Sequence, residues 1–306
     1  MDTRFTSSEF TPHGTSLEAA KIVVLPLPYD LGLSWMPGTR LGPRAILEAS
    51  QEVERFNYDT FCYPADAGIA TAPAFGGRGE EIPTYESRIQ AAAEQYLEQG
   101  KFLYSIGGDH SITYPLVMAH LKYHPGIGVL HLDAHTDLWP TYQGMNSSHA
   151  TPMYRIVQTG TKIVSAGLRV ITPEDYERAA ELPVKLLPMY KMRRGGMMHQ
   201  FEDALEFLPE RVYLSLDCDA LDPSEMPAVG TPIPGGFRFD ELLELLEMLF
   251  SKKTVVGADL VEFSPMPGLH FPQMTAAQLA YDVMGLKSLQ AGWVPEINPE
   301  RVLQRV

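Results

Sequence analysis

Apolar residues recur along this chain in two alternating rhythms. Short continuous runs of strand length occur at Lys21 to Pro28, Lys101 to Ile106, Gly126 to Asp133, Lys162 to Gly167, Val184 to Pro188, Val212 to Asp217 and Thr254 to Leu260. Between or after them, apolar positions follow helical spacing at Arg44 to Arg55, Tyr85 to Leu97, Ser111 to Lys122, Pro173 to Ala180, Gly196 to Phe207, Asp240 to Phe250 and Thr275 to Leu289. Pro43 precedes the first of these helices and Gly100 stops the second, as their backbone preferences favour. Met1 to Ala20 reads as an irregular arm, Asp30 to Pro43 as a glycine- and proline-rich loop, and Ala65 to Pro83 as loop with a short strand near Ala67 to Ala70.

Strand and helix alternate from end to end, and the strands are apolar on both faces. That pattern predicts an α/β fold, a three-layer αβα sandwich with a mostly parallel β-sheet. No repeat, low-complexity tract or linker interrupts it, so residues 1–306 are expected to form a single domain, with 1–20 as its irregular N-terminal arm. In open sheets of this kind ligands gather at the carboxyl ends of the strands.

Several of the apolar runs end in polar clusters. Gly107-Gly108-Asp109-His110 follows one, Asp133, His135 and Asp137 close another, and Asp217-Cys218-Asp219 follow a third. If strand geometry persists, Asp133, His135 and Asp137 project to one side. Such crowding is repulsive without a cation and becomes coordination with one. Besides Asp109, the clusters offer two imidazoles and four carboxylates, a set that suits two ions. Its oxygen-rich, thiolate-free character favours manganese, with nickel, iron and zinc also compatible. Metal-assisted hydrolysis is the chemistry such a pair supports.

Other polar residues read differently. Asp109 also fits a helix cap, Cys218 a small core residue, and His131 either a support for Asp133 or a satisfied core histidine. His120 and His124, one helical turn apart with no acid beside them, read as a solvated helix face.

Composition narrows the partners. The formal charge of −14 and pI near 5.1 argue against nucleic acid and suit a small cationic substrate. No stretch approaches the ~20 apolar residues of a membrane span, and the N-terminal residues lack a signal peptide's apolar run. Two cysteines, Cys62 and Cys218, are too few for a disulfide framework and suit a reducing, cytoplasmic setting.

Gly107-Gly108-Asp109-His110-Ser111, Asp133-Ala134-His135-Thr136-Asp137 and Ser215 to Pro223, followed by Gly230-Thr231-Pro232 and Gly235-Gly236, closely resemble the motifs of the ureohydrolase family, which includes arginase and agmatinase. Gly38 to Ile46 and Val256 to Pro265 match as well, so the resemblance spans nearly the whole chain. It implies an arginase-like sheet, two manganese ions and hydrolysis of a guanidino group to urea and an amine. One ion would take His110, Asp133, Asp137 and Asp217, and the other Asp133, His135, Asp217 and Asp219. Asp137 would pass a proton from the attacking water to the departing amine, His149 would relay protons at the mouth, and Glu262 would hold the guanidinium. Relatives commonly form trimers or hexamers, which implies a homo-trimer or homo-hexamer here.

The resemblance also bears on the substrate. Trp139 stands where arginase has an asparagine and Thr172 where it has an amino-binding aspartate, and both departures argue against arginine. Agmatine, giving putrescine and urea, needs neither contact. Trp139 and Tyr142 could receive its chain and ammonium by cation–π contact, and Glu174 and Asp175 are further ammonium candidates. Guanidinobutyrate, guanidinopropionate, guanidine and formiminoglutamate hydrolysis are alternatives, the last requiring a pocket-facing Arg155 or Arg169. A non-catalytic homologue would have lost a ligand, and none is lost. Many relatives have glycine where Ala150 stands, which bears on the His149 loop.

Overall fold

The structure, a computed structural model, describes residues 15–33, 35–76 and 81–298, so the expected N-terminal arm lies outside the described residues as far as residue 14. One sheet holds β1 (Ile22–Leu27), β2 (Ile69–Thr71), β3 (Phe102–Gly107), β4 (Gly128–Leu132), β5 (Ile163–Leu168), β6 (Val184–Pro188), β7 (Arg211–Asp217) and β8 (Thr254–Val261). Between and after the strands run α1 (Gly42–Ala49), α2 (Ile82–Leu97), α3 (Thr113–Tyr123), α4 (Pro152–Val157), α5 (Pro173–Glu181), α6 (Met189–Gly195), α7 (Met197–Leu205), α8 (Phe239–Lys252) and α9 (Phe271–Gln290). The strand order is β2-β1-β3-β8-β7-β4-β5-β6, and every pairing is parallel.

Alternation along each strand divides the core in two. Ile22 and Val24 of β1 belong to one core cluster with Ile46 of α1 and Leu245 of α8, whereas Val23 and Leu25 belong to another with Tyr85 of α2 and Leu116 of α3. Each such side chain, fully buried, contributes roughly 1.5–3 kcal/mol. The topology brings the carboxyl ends of β3, β8, β7 and β4 side by side, although their sequence order is scattered. Those four ends deliver every polar cluster seen in the sequence. Among the described residues no helix is long and apolar enough to cross a membrane.

Some expectations change. The first helix was expected to reach Arg55 but ends at Ala49, followed by a 3-10 turn at Ser50–Glu52. There the Ser50 hydroxyl donates to the Leu47 carbonyl at 2.8 Å, a local bond that competes with continued helix. Helices α4 and α6 were not expected. At six and seven residues they span less than two turns, too few for a helical period to register.

The reading of His120 as solvated is corrected. It is fully buried, its ring 4.7 Å from that of Tyr213, with Nδ1 2.7 Å from the Leu116 carbonyl oxygen. Gly257 of β8 makes the room, since a Cβ there would lie 2.1 Å from His120 Nε2. A missing side chain on a distant strand is not visible from the histidine's own helix.

Candidate metal centre and substrate pocket

Each cluster is set by the turn that follows its strand. After β3 the chain passes so close to the Tyr29 backbone that a Cβ on Gly108 would lie 1.7 Å from the Tyr29 carbonyl oxygen. Asp109 then caps the turn His110–Ile112, its Oδ1 accepting from the Ser111 amide at 3.0 Å, and its Oδ2 accepts from the Gly32 amide at 2.8 Å. The cap reading of Asp109 therefore holds, and the same carboxylate pins the Asp30–Pro43 loop beside the site.

After β4 the strand stops at Leu132, and Asp137 takes a left-handed backbone with φ of 52°. Strict alternation through Asp137 is therefore not what aligns this cluster. The acids converge because the chain bends, in a conformation that disfavours side chains other than glycine. After β7, Asp217 caps the turn Cys218–Ala220 by accepting the Asp219 amide at 2.7 Å, and Asp219 in turn accepts the Ala134 amide at 2.9 Å. Cys218 is buried in the core, and neither it nor Cys62 forms a disulfide.

The three turns bring all six predicted donors together. His110 Nδ1 lies 3.1 Å from Asp133 Oδ2, 3.2 Å from Asp137 Oδ2 and 3.1 Å from Asp217 Oδ2. Beside it, His135 Nδ1 lies 3.0 Å from Asp219 Oδ2 and 3.4 Å from Asp133 Oδ1. Two donor groups thus adjoin, with Asp133 common to both. His131 also falls within ligand reach, but its nitrogens face Asp133 Oδ2 at 2.8 Å and Ser165 Oγ at 3.0 Å. It is both a buried core histidine and a support for Asp133.

Electrostatics test whether a cation fits. Burial, and then the charges of Asp133 and its neighbours, hold the Asp137 carboxyl well above its ordinary range. Asp217 rises likewise, from burial followed by Asp219 and Asp133. Burial would lower both imidazoles, yet His110 is carried well above its usual value by Asp133 and Asp217, and His135 to about 12 by Asp219 and Asp133. So many buried acids within contact distance call for positive charge. Hard oxygen donors with two imidazoles are the ligands a divalent first-row ion takes, so the set fits such a centre.

A cavity of about 290 Å³ opens onto the donors, lined by His135 and Asp137 at its floor and by Trp139, Tyr142, His149, Val170, Thr172, Asp175 and Thr231 around it. His149 Nδ1 lies 3.9 Å from Glu262 Oε1, and its backbone amide donates to the Gly32 carbonyl at 3.1 Å. Burial, followed by the positive charge of His135 and His110, pushes the His149 imidazole down to about 4. Ala150 does not adopt a positive φ, so glycine's freedom is not needed at that position. Glu262 itself has φ of 64°, the second of the predicted site acids, after Asp137, in the left-handed region. Its carboxyl stands well above the ordinary range through burial and then the charge of Asp109.

The outer wall settles several candidates. Arg178 lies over one face of Trp139 at 4.9 Å, and Tyr142 meets the ring edge-on at 6.3 Å. Asp175 lines the cavity, but its carboxylate accepts from the Thr172 amide and from Arg178, both at 2.8 Å. Glu174 is exposed and lies outside the lining. Arg155 pairs in a fork with Glu86 and stacks over Tyr114 at 3.7 Å. Arg169 donates to the carbonyls of Gly167, Asp219, Ala220, Leu221 and Ile233, stitching the Asp219 turn to its neighbours. Neither arginine faces the cavity. That bracing role of Arg169 was invisible in the sequence, where it stood only as a possible carboxylate binder.

Comparison with known proteins agrees with this geometry. A model described as the arginase family matches residues 20–285. The chain is 46% identical over 280 residues to an N(1)-aminopropylagmatine ureohydrolase of Thermus thermophilus, covering 90% of this chain and 94% of the relative. It is 33% identical over 282 residues to an agmatinase of Pyrococcus horikoshii, covering 89% and 94% respectively. Among solved structures, the agmatine ureohydrolase of Thermoplasma volcanium superposes with a TM-score of 0.83 at 27% identity, over 94% of this chain and 97% of that one.

Proposed function

The chain belongs to the arginase family and is a ureohydrolase of agmatinase type, and from that premise we propose that it hydrolyses the guanidino group of agmatine, or of an agmatine extended at its amine, to urea and the free amine. One observation carries the choice of substrate. Among the described residues, those lining the cavity over the donors include acids, imidazoles and aromatic rings but no lysine or arginine. A guanidino acid would leave its carboxylate unpaired there, whereas a cationic chain meets the rings of Trp139 and Tyr142. The 46% relative favours the extended substrate as a second reading, N(1)-aminopropylagmatine, whose added aminopropyl group would reach the open side of the cavity.

His110, Asp133, His135, Asp137, Asp217 and Asp219 would hold the metal, two manganese ions in this reading, with Asp133 shared. When bound, such a pair supplies Lewis acidity and makes water nucleophilic at neutral pH. Glu262 pairs with the planar guanidinium and fixes its carbon over the donor cluster. Water oxygen adds to that carbon, the bond from carbon to the chain nitrogen breaks, and urea and the amine leave. Asp137 takes a proton from the attacking water and gives it to the departing nitrogen. His149, uncharged at neutral pH and at the cavity mouth, exchanges protons with solvent.

The donor set also fits nickel or iron, and the two buried free cysteines suit a reducing cytoplasm. The assembly proposed is a homo-trimer or homo-hexamer. The test is urea release by purified, manganese-loaded protein from agmatine, N(1)-aminopropylagmatine, arginine, guanidinobutyrate and guanidine. Turnover of agmatine or its extended form above the others is the expected result. Preference for a carboxylate-bearing substrate would refute the reading of the cavity wall.

A further inference from the structure

The strands that deliver the donors carry a second polar layer, one pleat deeper. Ser105 of β3 stands in register with Asp259 of β8, Asp259 with Ser215 of β7, Ser215 with His131 of β4, and His131 with Ser165 of β5. All five are fully buried. Side chains two residues apart on a strand share a face, so Ser215 and His131 lie directly behind Asp217 and Asp133. Polar groups buried across the middle of a sheet are costly unless their hydrogen bonds are made.

Asp259 gathers three hydroxyls. Those of Tyr213 and Thr113 donate to its Oδ2 at 2.8 and 2.9 Å, and that of Ser215 donates to its Oδ1 at 2.8 Å. A carboxylate only accepts, so each hydroxyl commits its single proton to it. Ser215 Oγ then offers only lone pairs to His110 Nε2, 2.9 Å away. That nitrogen must carry the imidazole proton. In the neutral ring Nδ1 is therefore the bare nitrogen, and it faces the oxygens of Asp133, Asp137 and Asp217.

We propose that Asp259 is a positioning residue of the metal centre, which through Ser215 holds His110 in the one tautomer able to bind a cation at Nδ1. This rests on the metal-dependent reading above. Outer partners of metal-bound histidines commonly fix the ring in this way, and their removal typically weakens metal binding 10–100-fold. The inference concerns two residues of this chain, Ser215 and Asp259, that lie outside both the donor groups and the cavity lining.

Manganese(II) titrated calorimetrically into metal-free wild-type, Ser215→Ala and Tyr213→Phe proteins tests it. Ser215→Ala cuts the link between Asp259 and His110. Tyr213→Phe removes a hydroxyl from the same buried carboxylate and leaves that link whole. Affinity is expected to fall about 10- to 100-fold in Ser215→Ala and to stay near wild type in Tyr213→Phe, even where both lower the melting temperature. Equal losses in the two variants, or no loss in Ser215→Ala, would overturn the proposal. Should Ser215→Ala not fold, the near-isosteric Ser215→Cys, whose thiol is a poor hydrogen-bond partner, is expected to show the same fall. Wild-type protein that takes up no manganese overturns the metal-dependent reading and this inference with it. A wild type that binds while the Ser215 variant binds equally well overturns this inference alone.

Discussion

Glu262 Oε1 accepts the backbone amide of His110 at 2.8 Å, across 152 residues of sequence, because β3 and β8 are neighbours in the sheet. The acid proposed to hold the guanidinium therefore also fixes the turn presenting the His110 imidazole to the donor cluster. Glu262→Gln keeps an acceptor for that amide and loses the charge. With a charge-assisted hydrogen bond worth ~1.5–3 kcal/mol, kcat/KM for agmatine should fall roughly 10- to 150-fold while manganese content stays full. Metal loss measured in this variant would assign Glu262 to the turn alone.

His149→Ala should lower kcat by about 100-fold or more, in the range of general acid–base contributions, with no change in bound manganese. Burial and nearby positive charge hold this imidazole at about 4, below the ordinary 6.5, so it stays neutral as pH falls toward that value. Any acid limb that depends on His149 should therefore lie below pH 6.5 in the kcat/KM profile. A limb above it that disappears in the variant would contradict the described surroundings of the ring.

Chelation should abolish urea release, and added manganese should restore it. The metal-free protein is also expected to melt earlier, because buried acids lose their counter-charge. At a free ion concentration about 100 times Kd, each site should add about 2.7 kcal/mol of stability. Thermal melts with and without manganese measure this, and identical curves would argue against a metal in the cluster.

Asp282 on α9 is fully buried, its Oδ1 accepting from Asn57 and Gln278 at 2.7 Å each and its Oδ2 left without a partner. Burial pushes its carboxyl from 3.8 up to about 7. Between those values the folded chain keeps a proton that the unfolded chain releases, so stability falls as pH rises through this window and then levels. The ceiling of the effect is on the order of 4 kcal/mol. Asp282→Asn should flatten that part of the denaturation-versus-pH curve and match or exceed wild-type stability at pH 8.

How much of this was legible differs from residue to residue. His110, Asp133, His135, Asp137, Asp217 and Asp219 could be picked out because acids and imidazoles crowd the ends of apolar runs, where only a bound cation makes sense of them. Ser215 and Asp259 carried a fainter signal. Each lies two or three positions before a marked acid, but a lone hydroxyl or carboxylate inside a strand does not reveal its cross-strand partner. His120 misled, since its burial depends on an absent side chain at Gly257.

The sequence by itself determined the α/β layering and the location of the chemistry at strand ends, because hydrophobic period and backbone preference are local properties. Only the tertiary structure decided which strand ends meet, how Asp137 and Glu262 are turned by left-handed backbone, and that Arg155 and Arg169 are committed elsewhere. Those outcomes depend on the order β3-β8-β7-β4 and on contacts between segments far apart in sequence, 69 residues for Arg155 with Glu86 and 152 for His110 with Glu262. The order of strands in a sheet is a property of the packed whole, set by how all the helices cover both faces together.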